Sequence, residues 1–143
     1  LSQYFNFLRC FYHAHFNQQS PTIHNLFSPR FLPQELHRGV DGGMTGFAFP
    51  DMLVQVCEKH ASGDVQGAEN LFDAYLPLVR YEQQIGIGLA IRKETMRRRG
   101  VIASAKTRAP GASMDSNDLS ELDHLLDRLK RRLEEMGEDI PAI

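Results

Sequence analysis

The run Gly42-Gly43-Met44-Thr45-Gly46-Phe47-Ala48-Phe49-Pro50-Asp51 constrains the fold more than any other stretch, because it joins a short extended segment to a helix start through small residues. Met44 and Thr45 suit a strand near Gly43 to Gly46. The flanking glycines let the backbone approach a ligand or a neighbouring segment closely, and Pro50 fits the first helical position, where its missing N–H costs nothing. A strand ends where a helix begins, which is the pattern of a βα unit.

Helices are well punctuated around this unit. Pro33–His37 stops at Gly39, and a second helix runs from Pro50 to about Ser62, with Met52, Leu53, Val56 and Cys57 on one face and Gly63 closing it. Asp64 caps a third helix, whose apolar face carries Ala68, Leu71, Phe72, Tyr75 and Leu78 and whose interior holds Pro77, expected to kink or tighten it. A fourth spans Ile87 to Arg99 and stops at Gly100. The last begins at Asp115 or Ser116 and carries Leu119, Leu122, Leu125, Leu126, Leu129, Leu133 and Met136 at three-four spacing before Gly137.

Composition shifts sharply near Leu32. Residues 1–31 hold eight of the thirteen aromatics, only Arg9 and Arg30 as formal charges, and no glycine, so this leader is set apart from the rest of the chain. A short helix over Tyr4 to Phe16 is the most it suggests. His13 and His15 have a metal-ligand spacing, but a structural zinc site needs a full tetrahedral set, so no metal is assigned. The net charge of −2 and pI near 6.3 give no reason to expect nucleic acid or an anionic membrane as partner. Cys10 and Cys57 do not make a disulfide framework, and Cys57 reads as a buried small hydrophobe in a reducing compartment. No apolar run reaches the ~18 residues of a membrane span, and no signal peptide is visible, which points to the cytoplasm.

The charged clusters read as structural. Arg97-Arg98-Arg99 in a last helical turn complements the helix dipole and pairs with Glu94, and the final helix sets Asp127 against Arg131 and Arg131 against Glu135.

From Leu32 onward the order and spacing of several segments resemble the C-terminal part of the dihydrodipicolinate synthase / N-acetylneuraminate lyase family. The likeness is carried by Gln34-Glu35-Leu36-His37-Arg38-Gly39-Val40-Asp41-Gly42, the glycine-rich run, Ala61-Ser62-Gly63-Asp64-Val65-Gln66-Gly67-Ala68, Tyr75-Leu76-Pro77-Leu78, Gly86-Ile87-Gly88-Leu89-Ala90-Ile91-Arg92-Lys93-Glu94, Arg98-Arg99-Gly100-Val101-Ile102 and Arg108-Ala109-Pro110. The resemblance implies a chain that is mainly α: the last βα unit plus the C-terminal helical extension of an α/β TIM barrel. It divides the sequence into a leader (1–31), the last barrel strand with flanking helices (32–63) and the helical extension (64–143).

Family members act on pyruvate or another 2-oxo acid through a lysine Schiff base, without a cofactor, and the intact enzyme is expected to be a homo-oligomer. The Schiff-base lysine and the Tyr-x-x-Pro tyrosine of that chemistry precede this region and are absent here. Lys59, Lys93, Lys106 and Lys130 all read as helical or exposed-loop residues. At 143 residues the chain falls well short of the roughly 250 of a TIM barrel, and it opens on Leu1, as a truncated reading frame would. It is expected to be an enzyme fragment, inactive alone. The resemblance places Met44, Thr45, Gly46 and Phe47 at the wall of the substrate pocket, with the Thr45 hydroxyl offered to substrate and Phe47 shaping the acceptor side; the alternative is that Met44 and Thr45 only fill the barrel interior. A second class also stays open, a non-catalytic helical assembly module derived from the same family.

Overall fold

The computed structural model describes residues 24–25, 29–40, 42–43 and 45–143. The helix expected over Tyr4 to Phe16, the His13/His15 pair, Cys10 and Met44 lie outside the described residues. The elements in order are β1 (His24–Asn25), a 3-10 turn (Pro29–Phe31), α1 (Leu32–His37), β2 (Gly42–Gly43), α2 (Pro50–Ala61), α3 (Val65–Glu82), α4 (Gly88–Arg98) and α5 (Ser116–Met136). The chain is mainly helical. It divides into two compact units, Leu1–Asp73 and Ala74–Ile143.

The first unit is built on a small βαβ motif. β1 and β2 pair in parallel, His24 opposite Gly42 and Asn25 opposite Gly43, with α1 as the connection. The expected strand near Gly43 to Gly46 is thus corrected to Gly42–Gly43, and Thr45 and Gly46 leave the ladder. A parallel ladder lasts only as long as its partner, and β1 offers two residues. Pro50 occupies the first turn of α2, which buries Met52, Leu53 and Val56. Cys57, expected in the core, is half-buried and free of any disulfide. It lies one position round from Val56, where the apolar stripe turns toward the exposed Glu58.

α2 stops where Gly63 takes φ +88°, a left-handed conformation suited to glycine. Asp64 then caps α3, its Oδ1 accepting from the Gly67 N–H at 3.0 Å. Ala68, Leu71 and Phe72 are buried on the portion of α3 within this unit.

In the second unit, Ala74, Tyr75, Leu78 and Val79 of α3 are buried, and the helix runs on through Pro77. α4 begins at Gly88 because a Cβ there would lie 2.3 Å from the Glu82 carbonyl oxygen, so only glycine permits this return of the chain onto the end of α3. Its buried residues are Gly88, Ala90, Ile91, Glu94 and Thr95. α5 opens with a capping box: Asp115 Oδ1 accepts from Asn117 N–H at 2.8 Å and Asp118 N–H at 2.9 Å, and Asp118 Oδ2 accepts from Asp115 N–H at 2.9 Å. Leu122, Leu126, Leu129 and Leu133 are buried as their spacing requires. Leu119, Leu125 and Met136 flank that stripe half-buried. Among the described residues, no helix is long and apolar enough to cross a membrane.

Candidate functional site

Because β1 and β2 are parallel, the segments that follow them leave from the same edge of the pair. In parallel α/β arrangements that C-terminal edge carries the functional turns, since side chains from several loops converge there. After β2 come Thr45, half-buried, and Gly46, exposed. Phe47 is 5 % exposed, with its ring centre 5.6 Å from that of the fully buried Phe49, so its side chain packs in the first unit's interior. Of the expected set, Thr45 and Gly46 are accessible and Phe47 holds the turn down; Met44 lies outside the described residues. On the segment after β1, Phe31 is a large apolar side chain left exposed. No sequence signal singles out Phe31, because an aromatic just before a helix is ordinarily a core residue.

The lysines stand apart from this edge. Lys59 is on α2 with its ammonium 3.9 Å from Asp64, Lys93 on α4 donates to the Lys106 carbonyl, Lys106 itself lies exposed between α4 and α5, and Lys130 is on α5. None is on a strand, and none has the enclosed apolar setting a Schiff-base amine requires.

A second polar group sits where α1, α2 and α3 meet within the first unit. His37 and His60 rings touch edge-to-face with centres 5.3 Å apart, and His37 Nδ1 is 3.9 Å from Glu69 Oε1. His60 Nε2 is buried without a hydrogen-bond partner. Among the described residues, no three His, Cys, Asp or Glu side chains are placed to hold a metal ion. His37 is the last residue of α1 and His60 the last but one of α2.

The electrostatics of the second unit are also structural. Glu94 accepts from Arg97 Nε at 2.8 Å, Arg97 Nη2 at 2.7 Å and Arg98 Nε at 2.9 Å, while Arg98 reaches on to Asp123 of α5. The Arg97 hydrogen bond is the largest cause holding the Glu94 carboxyl down at about 2; burial opposes it and Arg98 adds to it. Arg92 Nε donates to the buried Glu82 at 2.5 Å, closing the turn between α3 and α4. The Tyr81 hydroxyl donates to the Asp118 carbonyl at 3.1 Å. Burial, then the Glu121 hydrogen bond and the nearby acidic charges, push its phenol above the usual range. On α5 the pair is Arg132 with Glu135 at 2.7 Å, which corrects the expected pairing of Arg131 with Glu135. The three-residue spacing competes equally well for an exposed partner.

Comparison with known proteins yields a partial match to the dihydrodipicolinate synthase family, over its C-terminal portion. The crystal structure of dihydrodipicolinate synthase from Rhodopseudomonas palustris superposes with a TM-score of 0.69 at 48% sequence identity, covering 71% of this chain and 34% of that one. An L-2-keto-3-deoxyarabonate dehydratase from Azospirillum brasilense is 35% identical over 91 residues, 64% of this chain and 29% of the dehydratase. The chain thus spans about a third of the length of the relatives it matches. No protein-family profile matches it.

Proposed function

We propose that this chain is the C-terminal part of a cytoplasmic Schiff-base lyase of the dihydrodipicolinate synthase type, acting on pyruvate or another 2-oxo acid. The observation that carries the reading is the parallel β1-α1-β2 motif with Thr45 half-buried and Gly46 exposed just beyond β2, in a chain of which 71% matches part of a dihydrodipicolinate synthase at 48% identity. The Azospirillum brasilense relative bears the name of a dehydratase of a 2-keto acid, which supports a 2-oxo acid as the substrate class. The amine that attacks the keto carbon belongs to a lysine outside this chain. Thr45 would supply a hydroxyl to substrate, Gly46 would let the backbone approach it, and Met44 and Phe47 would shape the wall. The intact enzyme is a homo-oligomer in this reading.

The division of labour has a direct test. Borohydride treatment of the isolated chain with pyruvate, followed by mass spectrometry, should leave the mass unchanged; a specific adduct on Lys59, Lys93, Lys106 or Lys130 sinks the assignment. A protein carrying this chain behind a Lys-bearing barrel strand should trap pyruvate. Thr45→Val in it should weaken pyruvate binding by roughly fivefold, the equivalent of one hydrogen bond.

A further inference from the structure

Residues 99–115 join α4 to α5 without a helix or strand, and all of them lie in the second unit. Small and polar side chains dominate the middle of this connection, from Ala103 to Ser113. None of residues 101–115 is buried, and Ala103, Ser104, Lys106 and residues 108–113 are exposed. Such a connection is where endopeptidases nick a folded chain, because they must draw the backbone out in extended form and a helix does not yield it without unfolding. Lys106 and Arg108 stand in it, and basic side chains are what an endopeptidase with an acidic specificity pocket takes next to the cut.

The carbonyls of both residues are engaged. The Lys93 ammonium of α4 donates to the Lys106 carbonyl, and the Gly111 N–H donates to the Arg108 carbonyl at 2.7 Å. The Thr107 hydroxyl donates to the Ala112 carbonyl at 2.9 Å, so the Arg108 contact belongs to a turn closed within the connection itself. The Lys106 contact instead ties the connection to a helix. Since α4 ends at Arg98, the chain must turn back along that helix to meet Lys93. Peptide hydrolysis needs the scissile carbonyl oxygen in the protease's own oxyanion hole. At Lys106 that oxygen must first leave the Lys93 ammonium.

We infer that the α4–α5 connection is a nicking site for an endopeptidase directed at basic residues, and that Lys93 guards its Lys106–Thr107 bond. Hydrolysis breaks the C–N bond between these two residues; water supplies the new carboxylate oxygen and a proton to the Thr107 amine. α5 stays in place after the cut. Leu122, Leu126, Leu129 and Leu133 remain buried, Arg98 still holds Asp123, and the Tyr81 hydroxyl still donates to the Asp118 carbonyl. This modification is independent of any Schiff-base chemistry.

The test is limited digestion of the full 143-residue chain with trypsin, followed by intact mass over time. Within residues 32–143 the first cuts should follow Lys106 or Arg108, and the two pieces should elute together at the mass of the uncut chain in size-exclusion light scattering. Lys93→Met should raise the initial rate of the Lys106 cut roughly fivefold, the effect of one lost hydrogen bond on an opening equilibrium, and change the Arg108 cut less. Lys93→Arg keeps a donor and should be cut at the parent rate. A first cut elsewhere in residues 32–143, or pieces that separate, overturns the nicking site. A Lys106 rate unchanged in Lys93→Met, or raised as much in Lys93→Arg, overturns the guard. Equal acceleration at the arginines of α5 would show that the helices themselves open, and overturns it as well.

Discussion

Glu94 is paired with two arginines, and its chemistry sets a pH dependence. It is 8 % exposed and accepts three guanidinium hydrogen bonds, so folding lowers its pKa from 4.5 to about 2. A depressed carboxylate pKa gives stability that is fully present above the unfolded value and is lost as pH falls through the folded one. Urea titrations from pH 7 downward should therefore show this contribution intact above pH 4.5 and fading toward pH 2. Glu94→Gln should cost about 1.5–3 kcal/mol at pH 7 and flatten that part of the profile. An unchanged slope in the variant would show that other carboxylates govern the acid limb. The pairing of Glu94 with the arginines after it was legible because three- and four-residue spacings place side chains on one helix face. The buried Glu82–Arg92 pair was not legible: its ten-residue separation spans the turn between α3 and α4, and only the folded geometry brings the two together.

Among the elements, α5 was the most readable and β1 the least. The leucines of α5 repeat at helical spacing between an acidic cap and a glycine stop, and the structure buries Leu122, Leu126, Leu129 and Leu133 to 3 % exposure or less. Leu126→Ala should cost about 2–5 kcal/mol, the usual range for emptying an enclosed site, as measured by chemical denaturation. A variant as stable as the parent would mean that the stripe packs loosely. β1 offers no such signal. His24 and Asn25 are neither β-branched nor apolar, and the strand is defined by backbone pairing across α1. The same physics moved the expected strand near Gly43–Gly46 back to Gly42–Gly43, since register and length belong to the partner as much as to the sequence. Pro50 was legible as a helix start, whereas Thr45 and Gly46, read as the end of the strand, lie outside it. The burial of Phe47 against Phe49 depends on packing that no local pattern specifies.

For the whole molecule, the division into Leu1–Asp73 and Ala74–Ile143 predicts that the chain does not melt as one body. The first unit carries a strand pair of two residues each, and the second carries the doubly capped α5 with its buried leucine stripe. Calorimetry should give a broad endotherm with a calorimetric enthalpy above the van't Hoff value, the first unit unfolding at the lower temperature. A single sharp transition with equal enthalpies would show that the units fold as one. The mainly helical character and the likeness to a barrel C-terminus were legible in the order of glycines, prolines and apolar faces. The parallel pairing of β1 in the aromatic-rich leader with β2 beyond it was not, since it rests on backbone contacts between residues 18 apart in sequence. Beyond its packing, α5 has a mechanical consequence. Its 21 residues are locked by a capping box at one end and by Gly137 at φ +68° at the other. At the helical rise it is a strut about 30 Å long that resists fraying from either end. It works as a fixed spacer, and a peptide or probe attached beyond Gly137 would be held at a set reach from Asp115 rather than on a slack tether.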